Sequence, residues 1–377
     1  MGDVHYVKHT TDVLVIYGTR PEAIKLSPLI VRLRQALGAR LSVAASGQHT
    51  ALVDGIPELW RLTPNIVLQK VRDVPPTHLL PTLLQDIGEL IEHLNPKLIV
   101  VQGDTSTALA ATLSAFSRAI PVAHVEAGLR SFDNLNPWPE EGYRRSIDGM
   151  SSMLFAPTLR AESNLRSEQL PGNIYLTGNT VVDALISIRE LIRFDNSVIP
   201  ELPTYLQAGD AQFVLFTQHR RESFGDRIEH VLAAVRQIAE NGIPVVFPVH
   251  PNPEVVKRAN NMLGTSRNVT LLPPLNYLHF LRLLSMCRFV ISDSGGLQEE
   301  VPSFGKRILV TRTATERPEI LESGHGILCG YDTDRIVREA AHLMSALPLT
   351  DSANPFGDGH ASERITSEIC NFLGQIA

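Results

Sequence analysis

The residues able to do chemistry gather where short apolar runs end. "DVLVIYG" (12–18) runs into "GTRPEAIK", where Gly18 permits a tight turn, Arg20 precedes a helix start and Lys25 lies about a turn further on. Together the two cations could hold a phosphate; the plainer reading is a turn with a surface cation. "KLIVVQGD" (97–104) ends in Asp104, which is as well suited to capping the next helix as to catalysis. "IPVAHVEAG" (120–128) ends in His124 and Glu126, two apart and so expected on one strand face. A carboxylate at the end of so apolar a run is costly unless it is used or paired. "PWPEEGYRR" (137–145) places Glu140 and Glu141 after two prolines. That is either a loop delivering a carboxylate to a cleft or an acidic helix start favoured by the dipole.

The second half of the chain repeats the theme with cations. "FTQHRRESFG" puts His219, Arg220 and Arg221 at a strand exit, "FPVHPNP" puts His250 at the next, and "TRTATERPE" carries Arg317. A histidine beside phosphates can act as an acid toward a leaving group, although a lone histidine is usually structural. In "SDSGGLQEE" (292–300), Ser294 can cap a helix, while Gly295 and Gly296 leave backbone N–H groups open to an anion. Glu300 follows six residues after Ser294, about 9 Å along a helix. That is roughly the distance from a diphosphate to a ribose, whose hydroxyls a carboxylate accepts. The pattern reads as a nucleoside diphosphate site. The first strand exit lacks GxGxxG and GxxxxGK[ST], so neither a dinucleotide fold nor a nucleotide triphosphatase is supported. A DxD-type cluster is also missing, which argues against Mg²⁺; no metal or cofactor is expected.

These exits need elements to hold them. Apolar runs alternate with amphipathic stretches: 12–18, 40–47, 97–104, 120–128 and 152–158, then 173–178, 212–218, 243–250, 268–274, 288–294 and 307–312. Strand–helix alternation with nearly continuous apolar strands predicts parallel sheets covered on both faces. Two series over 377 residues predict two doubly wound domains, 1–178 and 179–354, the second series of runs being read as starting with 173–178 at that boundary. The net charge of −6, without a basic block, gives no reason to expect nucleic acid or an anionic membrane as partner. Cys287, Cys329 and Cys370 are far apart in apolar surroundings and read as reduced core thiols. The polar start "MGDVHYVKHTTD" and the lack of any roughly 20-residue apolar run point to a soluble cytoplasmic protein.

Taken together, "GTRPEAIKLSPLI", "GQH", "QGDT", "HVEAGLRS", "PWPEE", "TGNTVVDAL", "HRRESFG", "PVHPNP", "SDSGGLQEEVPSFGK", "TERPE" and "NPFGDGHAS" resemble the non-hydrolysing UDP-N-acetylglucosamine 2-epimerases, in order and over nearly the whole chain. The resemblance implies an α/β GT-B fold, two Rossmann-like domains with the active site in the interdomain cleft. It also implies a homodimer, and a C-terminal helix (355–377) packing back on the first domain. The implied reaction is reversible conversion of UDP-GlcNAc to UDP-ManNAc, by elimination of UDP to 2-acetamidoglucal and re-addition. Carried over by position, Asp104, Glu126 and Glu140 are the catalytic carboxylates, joined by His219. Arg20, Lys25, Phe280, Ser294, Gly295, Gly296 and Arg317 would bind the UDP-sugar, and Glu300 the ribose.

The chain also departs from that family. Thr50 stands where arginine often follows "QH", and Ala51 and Tyr143 replace polar residues common in bacterial members. Gln218 replaces a small residue, Leu275 a glutamine and His325 a threonine. Many bacterial members bind a second UDP-GlcNAc as activator near "QH". Gln48, Arg72 and His250 remain of that site, but Thr50 and Ala51 predict weakened activation. Leu275 and His325 leave room for a shifted substrate preference. The rival readings are a GT-B glycosyltransferase, a hydrolysing epimerase releasing ManNAc and UDP, and a non-catalytic sugar-nucleotide-binding regulator.

Overall fold

The computed structural model describes residues 11–47, 63–68, 71, 74–194, 199, 201–207, 212–218, 226–347, 349 and 353–376. The chain forms two compact units, Met1–Ala184 with Phe356–Ala377, and Leu185–Pro355. In the first, the described strands are β1 (Val13–Tyr17), β2 (Leu41–Ala45), β3 (Ile66–Val67), β4 (Leu98–Gln102), β5 (Val122–Val125), β6 (Met153–Ala156) and β7 (Asn173–Leu176). They form one sheet in the order β3-β2-β1-β4-β5-β6-β7, every pair parallel. β1, β4, β5 and β6 are buried at every position, which is why they read as unbroken apolar runs. The strand at 173–176 does not open the second series; it is the outer strand of the first sheet, paired with β6.

Helices α1 (Arg20–Leu37), α2 (Pro76–Leu94), α3 (Ser106–Phe116), α4 (Glu140–Met150), α5 (Leu159–Ser167) and α6 (Thr180–Phe194) follow the strands. The small side chains of α3, "STALAATLSAF", let it lie close to the sheet. A Cβ at Gly18 would stand 2.1 Å from Thr107 Oγ1 and 2.6 Å from Ser46 Oγ. Gly18 is therefore required by the approach of α3 and not by the turn its position suggested.

In the second unit, β8 (Val214–Thr217), β9 (Val245–Pro248), β10 (Val269–Leu272), β11 (Phe289–Ser292), β12 (Ile308–Val310) and β13 (Gly326–Leu328) form a second parallel sheet, ordered β10-β9-β8-β11-β12-β13. Its described helices are α7 (Asp226–Glu240), α8 (Pro253–Leu263), α9 (Tyr277–Met286), α10 (Gly295–Glu300), α11 (Glu319–Glu322) and α12 (Thr333–Ser345). Phe213, Phe216, Phe247 and Phe289 fill the core around the sheet, Phe216 and Phe247 with centroids 4.4 Å apart. Both sheets reverse their winding beside their first strand, at β1/β4 and at β8/β11. In open parallel sheets those reversals are where the loops splay and ligands bind.

The last helix, α13 (Ala361–Gln375), packs against α1 in the first unit. Asp183, in the first turn of α6, accepts from Ser362 N (2.8 Å), Ala361 N (3.2 Å) and Ser362 Oγ (2.5 Å), satisfying donors that begin α13. Cys287 and Cys329 are buried, and burial raises their thiols to about 12 and about 11. Cys370 is only half-buried, so the expectation of three core thiols holds for two.

Candidate active site

One carboxylate spans the winding reversal of the first unit. Glu22 accepts at Oε2 from Gly18 N (3.1 Å), Thr19 N (2.7 Å) and Thr19 Oγ1 (2.7 Å), and at Oε1 from Thr105 Oγ1 (2.8 Å). It is 1 % exposed, and burial pushes its carboxyl up to about 7 against four hydrogen bonds that pull the other way. Thr105 caps α3 by accepting from Ala108 N at 3.1 Å. The capping alternative for Asp104 therefore falls away. Asp104 turns to Arg144 of α4, whose Nε (3.0 Å) and Nη2 both meet Oδ2. Arg144 is buried and also donates to Glu141 Oε2 at 3.2 Å. Glu141 in turn accepts from the backbone of Ser131 (3.0 Å) and Phe132 (3.2 Å). Glu140 and Glu141 begin a helix, and Glu140 is half-buried beside this cluster.

Lys25 lies three residues after Glu22, on the same side of α1. Its Nζ stands 2.5 Å from Glu126 Oε2, and Gln102, ending β4, donates to the same oxygen at 2.6 Å. Glu126 is 8 % exposed and has φ +69°. Left-handed backbone at a non-glycine residue costs roughly 1–3 kcal/mol and persists where the surroundings over-determine it, often at functional sites. It also ends the strand alternation, so His124 and Glu126 do not act as a pair. His124 is fully buried, with Nδ1 2.6 Å from Asp148 Oδ1 and Nε2 2.8 Å from the Gly103 carbonyl. Asp148 Oδ2 meets Arg130 Nη1 at 2.7 Å, and Arg130 grips Glu168 through two bonds of 2.7 Å. Burial alone would raise the Asp148 carboxyl, but His124 and Arg130 outweigh it and hold it below the ordinary range. His124 thus supports the Gly103 carbonyl, one residue before Asp104.

In the second unit, Ser294 N donates to Ser292 Oγ at 2.9 Å and Ser292 Oγ lies 2.7 Å from Thr217 Oγ1, joining the exits of β8 and β11. Ser294 caps α10, its Oγ 3.4 Å from Leu297 N. A Cβ on Gly296 would meet nothing nearer than Ser294 Oγ at 3.9 Å, so packing within the chain does not demand this glycine. Glu300, 9 % exposed, accepts from Tyr277 of α9 at 2.9 Å, and Phe280, half-buried, lies one turn along from Tyr277. Arg317, 7 % exposed, stands between two acids: Nη1 is 2.5 Å from Glu316 Oε1 and Nε meets Glu299 Oε1. Thr315 Oγ1 donates to Gln298 Oε1 at 2.6 Å, and Gln298 Nε2 to the Ser294 carbonyl at 3.2 Å. The loop carrying Arg317 is thereby tied to the start of α10.

The first unit gathers Arg20, Lys25, Asp104, Glu126 and Glu140 at the exits of β1, β4 and β5 and the start of α4. The second gathers Ser294, Gly295, Gly296, Glu300, Arg317 and Phe280. His219, Arg220, Arg221, Gln48, Arg72, Thr50 and Ala51 lie outside the described residues. His250 is exposed past β9, its Nδ1 accepting from Asn252 N at 3.2 Å. His325, expected to leave room for a shifted substrate preference, lies away from the strand exits. It is 1 % exposed at the entry of β13, beside Ser323, and its carbonyl accepts from the first residue of β12. That is the end of the strands opposite to Ser294. Sequence reasoning missed Glu22, Gln102, Arg144, Tyr277, Glu299 and Glu316. Glu22 alone had a local signal: Thr19-x-x-Glu22 at a helix start is the capping-box spacing.

Two doubly wound units with polar residues gathered at strand-order reversals define a GT-B-like sugar-nucleotide enzyme. A sequence model of UDP-N-acetylglucosamine 2-epimerase matches residues 32–370. A probable UDP-N-acetylglucosamine 2-epimerase of Ralstonia nicotianae is 40 % identical over 367 residues, 95 % of this chain and 98 % of that protein. The UDP-GlcNAc 2-epimerase of Neisseria meningitidis, solved bound to UDP-GlcNAc, superposes with TM-score 0.87 at 34 % identity, over 95 % of this chain and 99 % of that one. That of Methanocaldococcus jannaschii, solved with UDP-GlcNAc and UDP, has TM-score 0.84 at 32 % identity, over 95 % and 99 %. The chain belongs to the UDP-N-acetylglucosamine 2-epimerase family. Among the described residues no helix is long and apolar enough to cross a membrane.

Proposed function

We propose that the protein interconverts UDP-GlcNAc and UDP-ManNAc by elimination and re-addition of UDP, without hydrolysis. The observation that carries this reading is Glu126: a buried carboxylate in left-handed backbone, with Lys25 and Gln102 converging on one oxygen. Such an arrangement orients a proton acceptor and resists its movement. The C2–H of a sugar is a very weak acid until the C1–O bond begins to break. The C1–O bond to the β-phosphate breaks with its electron pair leaving on UDP, and the C2 proton passes to a carboxylate. A C1=C2 double bond forms, giving 2-acetamidoglucal. UDP then adds back to C1 while a proton is delivered to the other face of C2.

Stabilising the departing diphosphate is the work of dipoles and cations. The start of α10 and Arg317 supply them, with His219 as acid toward the leaving oxygen. The open space at Gly296 supports close approach of a phosphate, and Glu300, oriented by Tyr277, suits the ribose. Glu126 takes the C2 proton in this reading, and Asp104 and Glu140 serve the opposite face. No cofactor or metal enters. The test is ¹H NMR of UDP-GlcNAc with enzyme alone in D₂O. UDP-ManNAc carrying deuterium at C2 supports the proposal. Free ManNAc with UDP marks a hydrolase, and no reaction without an acceptor marks a transferase. Glu126→Gln exchanging the C2 proton at the wild-type rate would remove Glu126 from its role.

A further inference from the structure

Beyond β1 and β4 the first unit has to hold two diverging loops in register. The β1–β4 pairing runs only from Val13↔Leu98 to Val15↔Val100. Past it, the β1 exit bonds toward β2, with Ser46 N donating to the Tyr17 carbonyl at 2.8 Å, and the β4 exit toward β5, with Gly103 N donating to the Val125 carbonyl at 3.1 Å. Arg20 leaves on one side of that split and Asp104 on the other. Glu22 closes it, three bonds to the Gly18–Thr19 side and one to Thr105, the neighbour of Asp104. From this geometry we infer that Glu22 is a positioning residue for the reaction, acting through Thr105 to fix Asp104 relative to Arg20 and Lys25. The inference rests on the proposed function, since it gives Asp104 a part in the chemistry.

The same helix face makes a second grip. Glu22 holds the β4 exit with a carboxyl, and three residues later Lys25 holds the β5-exit carboxylate with an ammonium. One rigid element thus sets two of the carboxylates to which proton transfer is assigned. The contact to Thr105 survives protonation of Glu22. The neutral acid donates from Oε1 to Thr105 Oγ1 while Oε2 still accepts the three bonds from Gly18 and Thr19. A glutamine amide copies that pattern, Nε2 donating to Thr105 and Oε1 accepting the rest.

The test measures kcat and KM for UDP-GlcNAc, with C2 exchange in D₂O, across six enzymes: wild type, Glu22→Gln, Glu22→Ala, Thr105→Val, Thr105→Ser and the Glu22→Ala/Thr105→Val double variant. A misplacement near 1 Å costs on the order of 10²-fold, so Glu22→Ala should lose about that in kcat with KM within roughly threefold. Glu22→Gln should restore most of kcat, as Thr105→Ser should relative to Thr105→Val. The double variant should lose less than the product of the two single losses, because the contact the two side chains share is already broken in either single variant. Glu22→Ala at wild-type kcat, Glu22→Gln as slow as Glu22→Ala, or losses that multiply in the double variant would each overturn the inference. Should Glu22→Ala not fold, equal kcat in Thr105→Val and Thr105→Ser overturns it as well. A wild-type enzyme that leaves UDP-GlcNAc untouched sinks the functional reading itself.

Discussion

Glu22→Gln has a second consequence, in stability, that does not depend on any substrate. Burial raises the Glu22 carboxyl from the ordinary 4.5 to about 7. The folded chain thus holds this proton more tightly than the unfolded chain does. Stability from it is fully present below pH 4.5 and is lost as pH rises through 7. The displacement is worth about 3 kcal/mol, of which roughly 2.5 kcal/mol falls between pH 5 and pH 8. Glutamine carries no such proton, and every other titrating group is common to both proteins. The melting temperature of Glu22→Gln relative to wild type should therefore climb across that range. For a unit of about 200 residues, at roughly 2–4 °C per kcal/mol, the climb is about 5–10 °C. Differential scanning fluorimetry at pH 5, 6, 7 and 8 reads it directly. A difference constant to within about 1 °C would show that the four hydrogen bonds cancel the burial penalty, and the account of Glu22 as a largely neutral tie at pH 6 would fail.

Three other perturbations follow from buried contacts. Arg317→Met takes the guanidinium from buried Glu299 and from Glu316, which keeps Arg312, so it should lower unfolding stability by about 3 kcal/mol in urea titration. Adding Glu299→Gln should return part of that loss. Tyr277→Phe removes the hydroxyl that orients Glu300; at about 1 kcal/mol it should raise KM for UDP-GlcNAc roughly fivefold and leave kcat within twofold. Asp148→Asn removes the carboxylate that meets Arg130 and His124 Nδ1 and should cost about 3 kcal/mol at pH 7. The Asp148 carboxyl is held below its ordinary 3.8, so wild type keeps that advantage above 3.8 and loses it as pH falls through the lower folded value. The difference in melting temperature between the two proteins should shrink as the pH falls below 3.8.

The sheets were legible because a strand buried on both faces must be apolar along its length, and a polar residue ending such a run must be explained. That reasoning singles out Asp104, Glu126 and Ser294 just past β4, β5 and β11, and Lys25 in the helix that follows β1. It did not find their partners, for a physical reason. Arg144 lies 40 residues from Asp104 and Gln102 lies 24 from Glu126; in sequence each is one more polar residue beside a strand or on a helix. Only the placement of α4 and the close approach of β4 to β5 turn them inward. β3, two residues long, and β13, the three residues Gly-Ile-Leu, are too short to show a period, and the run at β7 groups with the second series in sequence because an outer strand carries little of the apolar signal. Glu126 shows the same limit from the other side. Its type and position raise the expectation of a use or a partner, but the +69° backbone that separates it from His124 has no signature in "HVEAG".

The acids of "SDSGGLQEE" carry the point furthest. In the sequence, Glu299 and Glu300 stand beside an anion site as an apparent contradiction. In the structure neither side chain points its charge at the start of α10 as a competitor: Glu299 is engaged by Arg317, and Glu300 by the Tyr277 hydroxyl. Glu299 raises the local negative charge, yet it is also what holds Arg317 in a buried position that a lone guanidinium would leave for water. The site gains an oriented cation at the cost of an acid nearby, while the backbone N–H groups of Gly295 and Gly296 need no counter-ion to be held. The diphosphate site proposed at α10 would depend on Glu299 as much as on Arg317, although only one of the two would touch the ligand.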